Sequence, residues 1–254
     1  MKKIGLVLGS GGLRGLAHIG VLKVLEEEKI PIAFIVGCSI GSLIGALYAS
    51  GYSARQLKRM TRRLKRSEWI DLVVPCMGMF AGKKMLTVMG KMTRQRSIED
   101  TKIPLYIVAT DLYAGKEVVI QGGDIAEAVR ASTAVPGIFA PFEKDGRLYV
   151  DGALVNPIPV DIARKIEADI VVGVDLTHGT AMPKIQNIFD VMLQSIDVVE
   201  RQLGCAKYDE ADVMIYPQVR HISPSDFSKA DECIRIGEEA ARVHIDEIRR
   251  LLES

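Results

Sequence analysis

The sequence predicts an α/β protein whose largely parallel sheet is buried between helix layers. Three observations point there. Short apolar runs alternate with longer helical patterns from one end of the chain to the other. Runs such as Ile170-Val171-Val172-Gly173-Val174 show no in/out alternation, as strands covered on both faces require. No Pro/Gly-rich linker, internal repeat or low-complexity tract breaks the 254 residues, so 1–254 reads as one domain.

The elements follow in chain order. The apolar run over 4–8 is a first strand, and 16–28 is a helix with Ile19, Leu22 and Leu25 on one face. A second strand over 32–36 leads into a helix over 40–50, and Ser53 is a natural N-cap for a third helix over 54–66. Later strands fall at 105–109, 117–120, 147–150, 170–174 and 213–216. Helical patterns occupy 124–132, 159–167, 185–203 and 229–252.

Bulk composition removes several function classes. Hydrophobic content of 48% with 26% charged residues marks a folded chain rather than a disordered one. A net charge of +1 predicts neither a nucleic-acid partner nor an acidic tail. Cys38, Cys76, Cys205 and Cys233 lie far apart without metal-ligand spacing, which suits free thiols in a reducing cytoplasm. No metal or cofactor is expected. The N-terminal MKKIGLVLGSGG is too short and too broken by glycine for a secretory signal. No stretch approaches the roughly 18 apolar residues of a membrane span, so any membrane contact should be peripheral.

Three motifs sit at predicted strand ends, where open α/β sheets place their ligands. Gly9-Ser10-Gly11-Gly12-Leu13-Arg14-Gly15 separates strand one from helix one. Such glycines let backbone N–H groups point outward at a helix N-terminus and hold an anion or oxyanion. A dinucleotide fingerprint fits badly, because Arg14 stands at the third glycine position counted from Gly9. A ligand-free tight turn is the plainer alternative. Gly37-Cys38-Ser39-Ile40-Gly41 follows strand two, with small residues on both sides of the serine. A strand–nucleophile–helix elbow requires this; an ordinary serine N-cap is the alternative. Asp151-Gly152-Ala153 follows the strand over 147–150, and Asp-Gly is also a common turn dipeptide.

Together these motifs resemble the patatin-like phospholipase family, in its small bacterial form without extra domains. The likeness runs through LGSGGLRGLAHIGVLKVL, GCSIGSLIGALYASG, ATDL at 109–112, RASTAVPGIFAPF at 130–142 and DGALVNPIPV. The resemblance implies a three-layer α/β/α sandwich with a mainly parallel central sheet. It also implies lipid acyl-ester hydrolysis by a Ser–Asp dyad, without a metal. Ser39 would be the nucleophile and Asp151 the base, with Gly37, Gly41, Gly152 and Ala153 completing their motifs. Backbone N–H groups of Gly11, Gly12 and the neighbouring Leu13 would form the oxyanion hole, supported by Arg14. Ser10 and Ala153 stand where many members have glycine.

An aspartate is a poor base at its ordinary pKa near 3.9. Desolvation by the apolar segment 135–139 would raise Asp151 into a useful range. A Ser39–Asp175–His221 triad is the rival mechanism, since each partner follows a late strand. A non-catalytic relative that binds an acyl group or a protein partner is a second alternative. The expected partner is a lipid or acyl-ester substrate. Residues 55–66 hold seven basic residues in twelve, and the only tryptophan, Trp69, follows at once. With Leu57, Met60 and Leu64 on one face and six of the ten methionines between Met60 and Met92, residues 55–70 could contact an anionic membrane and gate an acyl pocket; a solvated helix face over ordinary core is the alternative. The expected location is cytoplasmic, with peripheral contact at the inner membrane face.

Overall fold

A computed structural model describes residues 2–62, 71, 77–179, 184–185, 188–205 and 207–254. Ten strands and eight helices appear among them: β1 Ile4–Leu8, α1 Ala17–Glu27, β2 Phe34–Cys38, α2 Ile40–Ala49, α3 Ala54–Thr61, β3 Gly78–Phe80, α4 Lys83–Thr93, β4 Leu105–Asp111, β5 Lys116–Ile120, α5 Ile125–Ser132, β6 Gly137–Phe139, β7 Phe142–Lys144, β8 Arg147–Asp151, α6 Val160–Lys165, β9 Ile170–Val174, α7 Ile188–Cys205, β10 Val213–Ile215 and α8 Ala230–Glu253.

The main sheet runs β10-β9-β1-β2-β4-β8-β7, with β5 also on β4. From β10 to β4 every pairing is parallel; β5, β8 and β7 join antiparallel. β1 sits between β9 and β2, and all five of its residues are buried. Its side chains alternate as a pleat demands. Ile4, Leu6 and Leu8 enter a large core under α1, α2 and α8, while Val7 enters a smaller one under α6. The two helix layers are therefore unequal. The apolar runs read from the sequence are the strands that both layers cover.

Several boundaries differ from the sequence pattern. β2 runs to Cys38 rather than stopping at Val36, which carries the strand to the residue before Ser39. α4 was not expected: glycines at both Gly82 and Gly90 disguise a helix whose Met85 and Met89 are buried one turn apart. β3, β6 and β7 have three residues each, too few to show a period. α3 is capped as expected, with Ser53 and Gln56 forming a reciprocal capping box. The expected extension of that helix through 63–66, and Trp69 and Cys76, lie outside the described residues. Cys38, Cys205 and Cys233 are free thiols. No helix among the described residues is long and apolar enough to cross a membrane.

Candidate active site

Ser39 is the single residue between β2 and α2, and its backbone is forced to φ 53°, ψ −124°. For a residue with a Cβ such angles cost on the order of 1–3 kcal/mol and persist only where the surroundings over-determine them. They do here. The Ser39 N–H donates to Ser132 Oγ at 2.9 Å, and the Ser132 hydroxyl donates to the Val108 carbonyl at 2.6 Å. The Ser39 carbonyl accepts from the Ser42 N–H at 2.9 Å and from the Ser42 hydroxyl at 2.6 Å. Gly41 lies against the end of β1 so closely that a Cβ there would sit 2.0 Å from the Leu8 carbonyl oxygen.

Sheet register brings Asp151 to this turn. β5 pairs with β4 across residues 107–111 and so fills one edge of it. The other edge is shared: β2 pairs with Leu105–Val108, and β8 takes up at Ala109. Cys38 lies opposite Val108 and Asp151 opposite Ala109, so β2 and β8 meet nearly end to end. The chain after Asp151 crosses the β4 backbone at Gly152, where a Cβ would lie 2.3 Å from the Val108 carbonyl oxygen. Across the junction Ser39 Oγ donates to Asp151 Oδ2 at 2.6 Å. Asp151 Oδ1 accepts the Ala153 N–H at 2.9 Å. Burial pushes the Asp151 carboxyl up to about 6, outweighing the stabilisation of its charge by those two donors.

The glycine loop faces the same turn. Its ends are tied down: the Gly9 N–H donates to the Val174 carbonyl, the Ser10 N–H to Pro157 and the Leu13 N–H to Pro224. Leu13 thus departs from the expected donor set, because its amide is already taken. Gly11 and Gly12, at φ 149° and 59°, have no acceptor for their N–H groups among the described residues. They are the two free donors of the loop. Arg14 is buried as its support: Nε donates to the Gly11 carbonyl at 3.1 Å, and Nη2 pairs with Asp197 on α7. His18 donates from Nε2 to the Gly9 carbonyl at 2.9 Å; burial depresses its pKa to about 4, so it is neutral.

Ser39, Asp151, Gly11 and Gly12 line one cavity of about 520 Å³. Its walls are apolar, from Leu43, Ile44 and Leu47 of α2, Leu57 and Met60 of α3, Met85 and Met92 of α4, and Leu193 and Ile196 of α7. Val135, Pro136, Ile138 and Phe139 of the segment expected to desolvate Asp151 also line it. Leu57 and Met60 therefore form cavity wall, as the acyl-pocket part of the expectation for this segment has it. The outer side of α3 carries exposed Arg55 and Arg59, and exposed Arg62 follows at its C-terminal cap.

Asp175 and His221 are not brought to Ser39. Asp175 is fully buried at the end of β9, accepting from the Thr177 N–H and hydroxyl and from the Tyr208 hydroxyl. His221 lies at the surface with its Nε2 on Glu232 at 3.0 Å. Neither lines the cavity. Among the described residues no group of three or more His, Cys, Asp or Glu side chains is arranged to hold a metal ion. The sequence reading missed Ser42 and Ser132, which hold the elbow, and Asp197 and Glu200, which reach the glycine loop from α7. Ser42 stands three residues after Ser39 and was open to a local reading; the others depend on long-range packing.

Comparison with known proteins agrees with this architecture. The family model for patatin-like phospholipase matches residues 6–164. An NTE family protein of Mycobacterium tuberculosis is 38% identical over 184 residues, covering 71% of this chain and 51% of that protein. Patatin-like phospholipase domain-containing protein 6 of Mus musculus is 40% identical over 268 residues, covering 92% of this chain and 20% of that protein. The chain thus spans about half the length of the mycobacterial relative and a fifth of the murine one. Among solved structures, VipD of Legionella pneumophila superposes with a TM-score of 0.54 at 13% identity, covering 97% of this chain and 67% of that one. The type III effector ExoU gives 0.54 at 12% identity, covering 97% and 53%. At such identities these two matches speak to the fold.

Proposed function

The chain belongs to the patatin-like phospholipase family, and from that premise we propose that it hydrolyses lipid acyl esters with Ser39 as nucleophile and Asp151 as its base. One observation carries the reading: a strained serine donates at 2.6 Å to a carboxylate raised by burial, in the wall of a largely apolar cavity.

The steps follow from the geometry. An acyl chain enters the cavity, where apolar burial is worth about 0.8 kcal/mol per CH₂ group. That places the ester carbonyl between Ser39 and the glycine loop. Ser39 Oγ attacks, and its proton moves to Asp151 Oδ2. A pKa of about 6 leaves Asp151 ionised at pH 7 and still basic enough to take that proton. The oxyanion forms against the Gly11 and Gly12 N–H groups, each such donor contributing about 3–4 kcal/mol. Asp151 returns the proton to the leaving alcohol. Water then releases the acyl group by the same steps in reverse.

The test is hydrolysis of p-nitrophenyl esters of increasing acyl length. The dyad reading expects kcat/KM to rise from acetate toward longer chains as they fill the cavity. It expects Ser39→Ala to lose the activity, and His221→Ala, a surface change, to keep it. Loss on His221→Ala with retention in Ser39→Ala would overturn the reading in favour of another nucleophile.

A further inference from the structure

The cavity is also lined by a buried carboxyl that the mechanism above does not use. Glu200 lies on α7, 8% exposed, and lines the same cavity as Ser39 and Asp151. Its Oε2 accepts the Ser10 hydroxyl at 2.8 Å. Its other oxygen has no protein donor among the described residues, and it makes no ion pair there. One turn earlier on the same helix, Asp197 holds Arg14 and also Arg220, at 2.9 Å. Two carboxyls of α7 therefore grip the glycine loop on either side of Gly11 and Gly12, through Ser10 and Arg14. Asp197 has two guanidinium partners and is charged. Glu200 has a neutral hydroxyl only.

On the hydrolase reading of this site, we propose that Glu200 is a positioning residue that works as a neutral acid: it fixes the oxyanion loop through Ser10 while adding no negative charge beside it. A buried carboxyl that makes no ion pair keeps its proton, because the charged form is costly away from water. Burial, with Asp151 nearby, raises Glu200 to about 8. Asp151 and Glu200 are thereby separated, Asp151 ionising near 6 and Glu200 near 8. Between those values one is a base and the other an uncharged hydrogen-bonding group. Once Glu200 ionises, a second negative charge faces the place where the oxyanion forms, and the rate falls.

The groups facing Glu200 are few. Asp151 on β8 disfavours its charge, as does Asp197 on its own helix; Arg14 and Ser10 of the loop favour it. The Cys38 thiol on β2, which Glu200 itself influences, is pushed well above its ordinary range by burial and stays protonated throughout.

The experiment is the pH dependence of p-nitrophenyl butyrate hydrolysis by wild type, Glu200→Gln and Ser10→Gly, corrected for spontaneous hydrolysis. Wild type is expected to gain activity through about pH 6 and lose it through about pH 8, being about tenfold slower at pH 9 than at pH 7. Glu200→Gln keeps the first limb and loses the second. Ser10→Gly removes a donor that favours the carboxylate, so its second limb moves to higher pH. An infrared difference spectrum of wild type minus Glu200→Gln at pH 7 adds a readout independent of turnover: a protonated-carboxyl band is expected, and it disappears by pH 9. An alkaline limb unchanged in both variants, or no such band, overturns the role of Glu200 while leaving the hydrolase reading intact. Absence of hydrolysis by wild type overturns the hydrolase reading itself, and this role with it.

Discussion

Asp151→Asn is expected to lower kcat on p-nitrophenyl butyrate by on the order of 10³-fold and, at pH 7, to unfold at a higher temperature than wild type. Both effects come from one side chain. Asparagine keeps the shape, accepts the Ala153 N–H through its oxygen, and presents its NH₂ toward Ser39; it cannot take a proton. The stability gain follows from linkage. The folded protein raises the Asp151 carboxyl from 3.8 to about 6, so it holds that proton more tightly than the unfolded chain does. Stability from this group is therefore greatest below pH 3.8 and lost as pH rises through about 6. At pH 7 the buried charge costs on the order of 3 kcal/mol, which an uncharged residue relieves in part. At about 2–4 °C per kcal/mol for a chain of this size, a rise of several degrees is expected. Calorimetry across pH checks the sign: the gap should narrow as pH falls from 6 toward 4, where wild type neutralises Asp151 with a proton. A variant that is inactive and also less stable at pH 7 would contradict the idea that the cavity is strained for function.

Gly41→Ala is expected to be strongly damaging to both fold and site. The added Cβ would lie 2.0 Å from the Leu8 carbonyl oxygen and 2.7 Å from that of Gly9. Both atoms are main chain, held at the end of β1 by pairing with β9 and β2, so neither can turn aside as a side chain would. Relief requires α2 to move away from the sheet. That motion opens the Ser39 turn and separates it from the glycine loop. Overpacking of a core costs about 1–3 kcal/mol where neighbours adjust, and here the neighbour is backbone. A loss of more than about 3 kcal/mol in urea unfolding is expected, together with loss of activity. Gly90→Ala is the control. Nothing lies within 4 Å of a Cβ at Gly90, which sits inside α4. Alanine there should stabilise by about 0.5–1 kcal/mol through helix propensity. Equal effects at the two positions would show that close approach at Gly41 is not what requires glycine.

What could be read from the sequence and what could not divide along a physical line. β1, β9 and the start of α2 were legible because both-sided burial and the strand-to-helix change leave unbroken apolar runs and a glycine-flanked serine. Ser39 and Asp151 were legible as strand-end motifs. The reason they meet was not, since it lies in β2 and β8 sharing one edge of β4, and register between distant strands has no local signature. Glu200 and Ser10 are 190 residues apart and joined by a single hydrogen bond. No spacing could have paired them. α3 shows a pattern that the sequence leaves open between two environments. Leu57 and Met60 do share a face, but a stripe that could meet a membrane can equally line a cavity, and the structure puts it there. Met85, Met89 and Met92 carried a readable helical period that the surrounding glycines masked.

The most direct test of the Ser39–Asp151 reading is covalent labelling with a p-nitrophenyl alkyl phosphonate, which stops at the tetrahedral stage, followed by mass spectrometry of the digested protein. The account predicts one adduct, on Ser39, formed on the order of 10²–10⁴ times faster in wild type than in Asp151→Asn. An adduct on any other residue, or equal labelling rates in the two proteins, would contradict it.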